Sequence, residues 1–108
     1  MAVGVEQVVE LGRKILSETP EGREAGAENA SDWSRLFSPD EAGTIVRLLA
    51  VASAVEVDAR VREAQLHAIL EVSGSVAVGA DALWPLRLLA AGALDAEQSG
   101  YLDALLIR

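Results

Sequence analysis

The residues that could support acid–base or metal chemistry are few and scattered. His67 is the single histidine, and the chain contains no cysteine. One histidine without a cysteine or a second histidine does not make a transition-metal site, and a general base needs an aligned nucleophile, which the sequence does not assign. We expect His67 to be a surface side chain between the carboxylates of Glu63 and Glu71, one helical turn before and after it.

Carboxylates close in sequence could act as a general acid and base. The candidate pairs are Asp40 with Glu41, Glu56 with Asp58, and Glu21 with Glu24. No polar cluster accompanies them, two of the pairs fall at positions typical of helix caps, and the glycines follow no nucleotide-binding spacing. The sequence therefore predicts no catalytic residue, no metal ligand and no cofactor, and we expect a protein that is not an enzyme.

Composition indicates one helical domain. The 108 residues suffice for a single domain, residues 1–108, that buries its own core. Hydrophobic residues make up 51% of the chain and aromatic residues only 4%, so Ala, Val, Leu and Ile must form the core. Because these residues suit close-packed helices better than a β-sandwich, we expect an all-α fold, a compact bundle of about five to six helices.

The formal net charge of −8 restricts the possible partners. An acidic surface repels phosphate backbones and anionic membranes, so we expect neither nucleic-acid nor membrane binding. It attracts a basic protein, although a need for solubility alone explains the charge equally well. The sequence shows neither a signal-peptide pattern nor an apolar stretch of about 20 residues, which predicts a cytoplasmic protein.

Capping signals divide the chain into helices. Ser38-Pro39-Asp40-Glu41 is a capping box with proline at the first helical position, and Asp58, Asp81 and Asp95 are further N-cap candidates. Gly74 is expected to end the helix that Asp58 begins. The apolar spacing predicts helices over about 3–17, 31–37, 39–55, 59–73, 82–91 and from 96 onward.

Residues 19–30 show no apolar period, and proline, glycine and glutamate dominate them. We therefore expect an acidic loop here, mobile and dispensable. Just after it, Trp33 could either pack in the core or anchor a partner, because tryptophan is enriched in interface hot spots. Trp84, beside Pro85, is expected to be buried.

Part of the sequence resembles a repeat family. The run Asp58-Ala59-Arg60-Val61-Arg62-Glu63-Ala64-Gln65-Leu66-His67-Ala68-Ile69-Leu70 is similar to the second helix of a HEAT-like repeat, in which an Asp opens the helix and a Val-Arg pair follows. The resemblance implies one HEAT-like antiparallel pair with the helix over 39–55. The chain is too short for a true array, which needs about three repeats.

A second resemblance concerns function. The run from Trp33 to Glu41, the Val-Arg-Glu-Ala helix and the ending from Asp95 to Leu106 together resemble small helical immunity proteins of bacterial polymorphic toxin systems, which actinobacteria and many other bacteria encode beside secreted toxins. The resemblance implies a protein that binds and neutralises a cognate toxin domain by covering its active site. Many such toxins are basic nucleases. No residue role carries over, because the family offers no shared motif to match.

Charge and helix position select the candidate binding residues. Eleven of the 17 acidic residues precede residue 59, against five of the nine basic ones, so we expect the partner surface in that half. The candidates are Asp32, Trp33 as the anchor, Asp40, Glu41, Glu56, Asp58 and Glu63. The alternative function is a HEAT-like adaptor that mediates protein assembly, and a third is a sensor or enzyme with a pocket between helices.

Overall fold

The computed structural model describes residues 2–89 and 94–106. Within these ranges the chain is all-helical and has no strand, so the predicted all-α bundle of five to six helices is confirmed. The elements are α1 Val5–Ile15, α2 Pro20–Asp32, α3 Pro39–Val55, α4 Ala59–Ser75, α5 Ala80–Leu83, a 3-10 helix Trp84–Leu88, and α6 Ala96–Leu106.

The helices α3 and α4 begin at the predicted caps. Ser38 Oγ accepts from the Glu41 amide at 3.2 Å, and Glu41 Oε1 accepts from the Ser38 amide at 2.9 Å, which completes the capping box. Asp58 Oδ1 accepts from the amides of Arg60 and Val61 at 2.9 and 3.1 Å. Each cap satisfies amides that have no partner inside the helix and contributes about 1 kcal/mol.

The last helix also begins at its predicted cap, because Asp95 Oδ1 accepts from the Gln98 amide at 2.8 Å. Asp95 and Gln98 have the sequence spacing of a second capping box, but the Gln98 side chain does not complete it. It is buried, and its Nε2 donates to the Ala59 carbonyl at 2.7 Å. Gln98 therefore joins α6 to the start of α4.

The expectation of a loop over residues 19–30 is wrong, because α2 occupies this segment. Thr19 Oγ1 accepts from the Gly22 amide at 3.0 Å and proline follows it, so α2 starts in the same way as α3. The buried residues of α2 are Gly26, Ala27 and Ala30. Such small residues produce almost no apolar period in the sequence, yet they allow a neighbouring helix to approach closely.

Four smaller expectations about helix ends are also wrong. Ser31 lies inside α2 and caps no separate helix over 31–37. α4 continues through Gly74 to Ser75, so Gly74 is not its stop. Gly79, and not Asp81, precedes α5, which changes to a 3-10 helix at Trp84. The 3-10 helix ends at Leu88 because Leu89 is extended, so the helix predicted over 82–91 ends too late, and residues 90 and 91, like the predicted stop at Gly92, lie outside the described residues.

The helices form two layers. α2 packs on α1 and α4, α6 packs on α4, and α3 packs on α1, α4, α5 and the 3-10 helix. We therefore describe α2, α4 and α6 as one layer, and α1, α3, α5 and the 3-10 helix as the other. The Cα trace spans 38 × 31 × 19 Å, and its shortest dimension fits two layers of helices.

The core lies between the two layers. Ile45 and Leu49 of α3 meet Leu66 and Ile69 of α4 there, and none of the four side chains has any exposure. The connection between α3 and α4 is only three residues long, which makes the two helices antiparallel neighbours. Their HEAT-like character stays a prediction. No helix in the described ranges combines the length and apolar character that crossing a bilayer requires.

Candidate functional site

The seven candidate binding residues do not form one surface. Asp40 and Glu41 lie at the start of α3 and Glu56 directly follows its end, so the 17 residues of α3 separate them by about 25 Å. Asp58 and Glu63 belong to the beginning of α4. Exposed Asp32 and half-buried Trp33 lie at the end of α2. Trp33 lines a cleft there with residues 2, 3, 7 and 36.

Glu41 has a structural role at the start of α3. Besides completing the capping box, its carboxylate accepts from the amides of Val3 and Gly4 at 3.1 and 3.0 Å. The hydrogen bond from the Ser38 amide, followed by those from Val3 and Gly4, holds the pKa of Glu41 below its usual value. The carboxylate thus attaches the N-terminal segment to α3, and it accepts three hydrogen bonds from within the chain.

Glu56 is not a surface residue, which contradicts its selection for partner binding. Only 1% of its side chain is exposed. Its two oxygens accept from Arg23 Nε at 2.7 Å and Arg23 Nη2 at 3.0 Å, and also from Gln65 Nε2 at 3.0 Å and the Asp58 amide at 3.3 Å. Burial raises the pKa of Glu56, but the bonds from Arg23, Asp58 and Gln65 outweigh burial and leave the pKa lowered.

The Glu56 pair belongs to a wider polar network. Arg23 Nη1 donates to two carbonyl oxygens of the α1–α2 connection, each at 3.1 Å. Arg62 donates to the Glu56 carbonyl at 2.8 Å and to Gln98 Oε1 at 3.3 Å. The network therefore connects α2, α4 and α6 with the α1–α2 and α3–α4 connections. Its role is to fix the helices relative to one another.

The structure places a serine beside the histidine, which sequence analysis did not indicate. Ser31 Oγ lies 3.5 Å from His67 Nδ1, and His67 Nε2 lies 3.4 Å from Glu71 Oε1. Serine, histidine and carboxylate occur in this order in many hydrolases. Both distances, however, are at the long limit of a hydrogen bond, and 45% of the His67 side chain is exposed.

An activated serine also needs a pair of free amides as an oxyanion hole. Ser31 lies inside α2, where the carbonyls one turn earlier engage the backbone amides. The arrangement thus has the character of a polar surface cluster between α2 and α4. Tyr101 of α6 completes it, with its ring centroid 6.0 Å from that of His67.

The outer side of the α2–α4–α6 layer carries the chain's main group of carboxylates. Glu24 and Glu28 are one turn apart on α2, and Glu63, His67 and Glu71 follow each other on α4 at helical spacing. Arg60 Nε donates to Glu24 across the two helices at 3.1 Å. We call this surface the acidic face and define it by six carboxylates: Glu24, Glu28, Glu63, Glu71, Asp95 and Glu97.

Like charges are crowded at one edge of the acidic face. The charge of Glu97 on α6, followed by partial burial and the charge of Asp95, raises the pKa of Glu63 on α4, although His67 acts in the opposite direction. Burial and then Glu97 raise the pKa of Tyr101, whose hydroxyl lies 3.4 Å from Glu97 Oε1. Among the candidate residues chosen from the sequence, Glu63 belongs to this face.

The opposite layer exposes apolar side chains. Val5, Val9 and Leu16 of α1 are exposed, whereas Leu11 and Ile15 face the core. Trp84 was expected to be buried and is 55% exposed. The sequence contains a signal for this exposed apolar surface, because α1 and α3 carry more apolar residues than one buried stripe requires.

No group of three or more histidine, cysteine or acidic side chains in the described part of the chain is arranged to hold a metal ion. Comparison of the chain with protein-family models, with curated proteins and with solved structures found no match. The surfaces that bear on function are therefore the acidic face and the exposed apolar side chains of the opposite layer.

Proposed function

We propose that this chain binds a basic protein through its acidic face and, in the form that the sequence resemblance implies, neutralises a bacterial toxin domain. The observation that carries the proposal is the placement of six carboxylates from α2, α4 and the start of α6 on one face, where the charges of Glu97 and Asp95 act on Glu63. Holding like charges together is unfavourable in the isolated chain, and a cationic partner would relieve the repulsion. Acidity that served solubility alone would not require such crowding.

The acidic face is suited to a partner protein that itself binds a polyanionic substrate. The substrate groove of a nuclease is lined by Lys and Arg, which bind the phosphates of the nucleic acid. The carboxylates of three adjacent helices can form ion pairs with the same Lys and Arg side chains. The field of the face would accelerate association and orient the partner. Between the carboxylates, Ser31, His67 and Tyr101 offer hydrogen-bonding groups and partly apolar surface for close contact.

Co-expression with the C-terminal domain encoded by the adjacent gene tests the proposal. We expect rescue of growth and a complex that elutes as one species in size exclusion.

In stopped-flow binding, Glu71→Gln with Glu97→Gln should lower the association rate by about 10-fold at low salt, with a smaller difference at high salt. The matched control, Glu6→Gln with Glu18→Gln, removes two exposed carboxylates outside the face and should leave the rate nearly unchanged.

Absence of both a complex and growth rescue would contradict the proposal. The proposal would also be contradicted if both double variants lowered the association rate equally, because the location of the charges would then not matter.

A HEAT-like adaptor remains the alternative, and the exposed apolar residues of the other layer favour it. An adaptor that joins an assembly through these residues would bind with little dependence on salt, because burial of apolar surface drives the association. Neutralising Glu71 and Glu97 would then have no effect on binding, whereas a charge placed at Val51 of α3 would abolish it.

A further inference from the structure

The outer side of α3 forms an apolar ridge. Thr44, Leu48, Val51 and Val55 recur at spacings of four, three and four, which places them on one side of the helix. Val51 is 51% exposed and Val55 75% exposed, and the adjoining Val57 is 89% exposed. Leu48 is half-buried beside Gly12 of α1, and the ridge extends into solvent at Val51 and Val55.

Neighbouring elements extend the ridge into a continuous surface. Val9 and Leu16 of α1 line a cleft together with Leu48 of α3, and Leu16 lines a second cleft with Val55 and Val57. On the other side of the ridge, Val51 lines a third cleft with Trp84. We call this surface the apolar face: Val9, Leu16, Leu48, Val51, Val55, Val57 and Trp84.

We propose that the apolar face is the contact surface between two copies of this chain, which associate as a symmetric dimer. Contiguous exposed apolar surfaces mark sites at which a protein binds other proteins, membranes or ligands. The proposal does not depend on the basic partner, because the two interactions use opposite layers.

The charges around the apolar face favour a second copy of the chain as the partner that binds there. The charged side chains along the apolar face are already paired within the chain: Arg13 with Glu10 at 2.9 Å, and Arg47 with Asp81. A chain with a net charge of −8 repels its own copy over most of its surface, and this repulsion is weakest where the local charges cancel. A basic partner is instead drawn to the acidic face.

The size and shape of the surface also fit a dimer. The Cα trace extends over 38 × 31 Å in the plane of the layers, so one broad side of the molecule has room for an interface of roughly 800 Å² per partner. The surface consists of a ridge between two clefts, so the ridge of one copy can enter a cleft of the other around a two-fold axis. The spacing of Thr44, Leu48, Val51 and Val55 is that of a seam along which two helices can pack side by side.

Sedimentation equilibrium of the full chain over a wide concentration range tests the dimer. We expect twice the chain mass of 11.3 kDa for the wild type. Val51→Glu and Val55→Glu, made separately, should each halve that mass, because a symmetric dimer would bury two new like charges. Both positions are exposed, so circular dichroism should show unchanged helix content. The control Leu36→Glu alters an exposed apolar residue in the separate Trp33 cleft and should remain dimeric.

A wild-type chain that stays monomeric at every concentration would overturn the proposal. A dimer that persists in both folded variants would overturn it as well, because the contact would then lie elsewhere. Neither result bears on binding of the toxin domain, which is measured separately with the acidic-face variants.

Discussion

Glu56 keeps a negative charge at a position with almost no access to water. Moving a carboxylate to such a position costs several kcal/mol unless strong donors surround it. Here Arg23 supplies two N–H groups and Gln65 a third, while the Asp58 amide adds a fourth. The Glu56 carboxylate therefore holds α2 against the α3–α4 connection, and it is not available to a partner.

Replacement of Glu56 tests this role. Glu56→Gln removes the buried carboxylate that pairs with Arg23, and we expect a loss of about 3 kcal/mol in the free energy of unfolding at neutral pH, measured with urea. The folded pKa of Glu56 is lowered, so its contribution is present above the unfolded pKa and is lost as the pH falls through the folded pKa. The variant should therefore lose less stability than the wild type as the pH falls below about 4.5.

The control for this prediction is Glu6→Gln, which alters an exposed glutamate on α1. It should leave both the stability and its pH dependence close to wild type. A similarly small effect of Glu56→Gln would show that the buried pair does not hold the helices together.

Single residues differ in how far their environment can be predicted. The capping role of Glu41 depends on Ser38 three residues away, so the sequence alone indicates it. The burial of Glu56 depends on Arg23, which lies 33 residues away in a segment that sequence analysis took for a loop. Glu63 was chosen for its charge, but its crowding with Glu97 requires α4 and α6 to be neighbours.

At the scale of elements, Gly26 shows why α2 contains so many small residues. A Cβ atom at this position would lie 2.6 Å from the Ile15 backbone nitrogen and 2.7 Å from the Lys14 carbonyl carbon. The backbone of α2 thus passes directly against the end of α1, where no larger residue fits. Gly74 of α4 differs, because nothing lies within 4 Å of the position that its Cβ would take.

Alanine at these two glycines should have opposite effects. Gly26→Ala should lower the free energy of unfolding by about 1–3 kcal/mol, because the neighbouring backbone must move. Gly74→Ala should raise it by about 0.5–1 kcal/mol, because alanine favours the helix and meets no obstacle. Thermal unfolding followed by circular dichroism measures both. A stabilising Gly26→Ala would contradict the close packing of α1 and α2.

The helices themselves were predictable wherever local signals mark them. Ser38, Asp58 and Asp95 are caps whose partners lie two or three residues away, and all three helix starts agree with the structure. α2 was missed because its buried side consists of Gly26, Ala27 and Ala30, whose burial depends on α1 and α4 and leaves no apolar period. The cap at Thr19, followed by proline, was the signal that could have revealed it.

At the scale of the whole molecule, the two layers separate two kinds of surface. The α2–α4–α6 layer carries the acidic face, and the α1–α3 layer carries the apolar face with its paired charges. A dimer through the apolar face would leave both acidic faces free, so the two proposals are compatible. The location of each surface could not be read from the sequence, because it depends on which helices share a layer.

The central claim is that the acidic face binds the basic partner, and the most direct test is a map of the contact. The isotope-labelled chain is titrated with the C-terminal domain that the adjacent gene encodes, and the amide chemical shifts are followed by NMR. We expect the largest changes along α2, α4 and α6, around Glu28, Glu63, His67, Glu71 and Glu97. Changes confined to α1, α3 or the Trp33 cleft, or no changes at all, would contradict the claim.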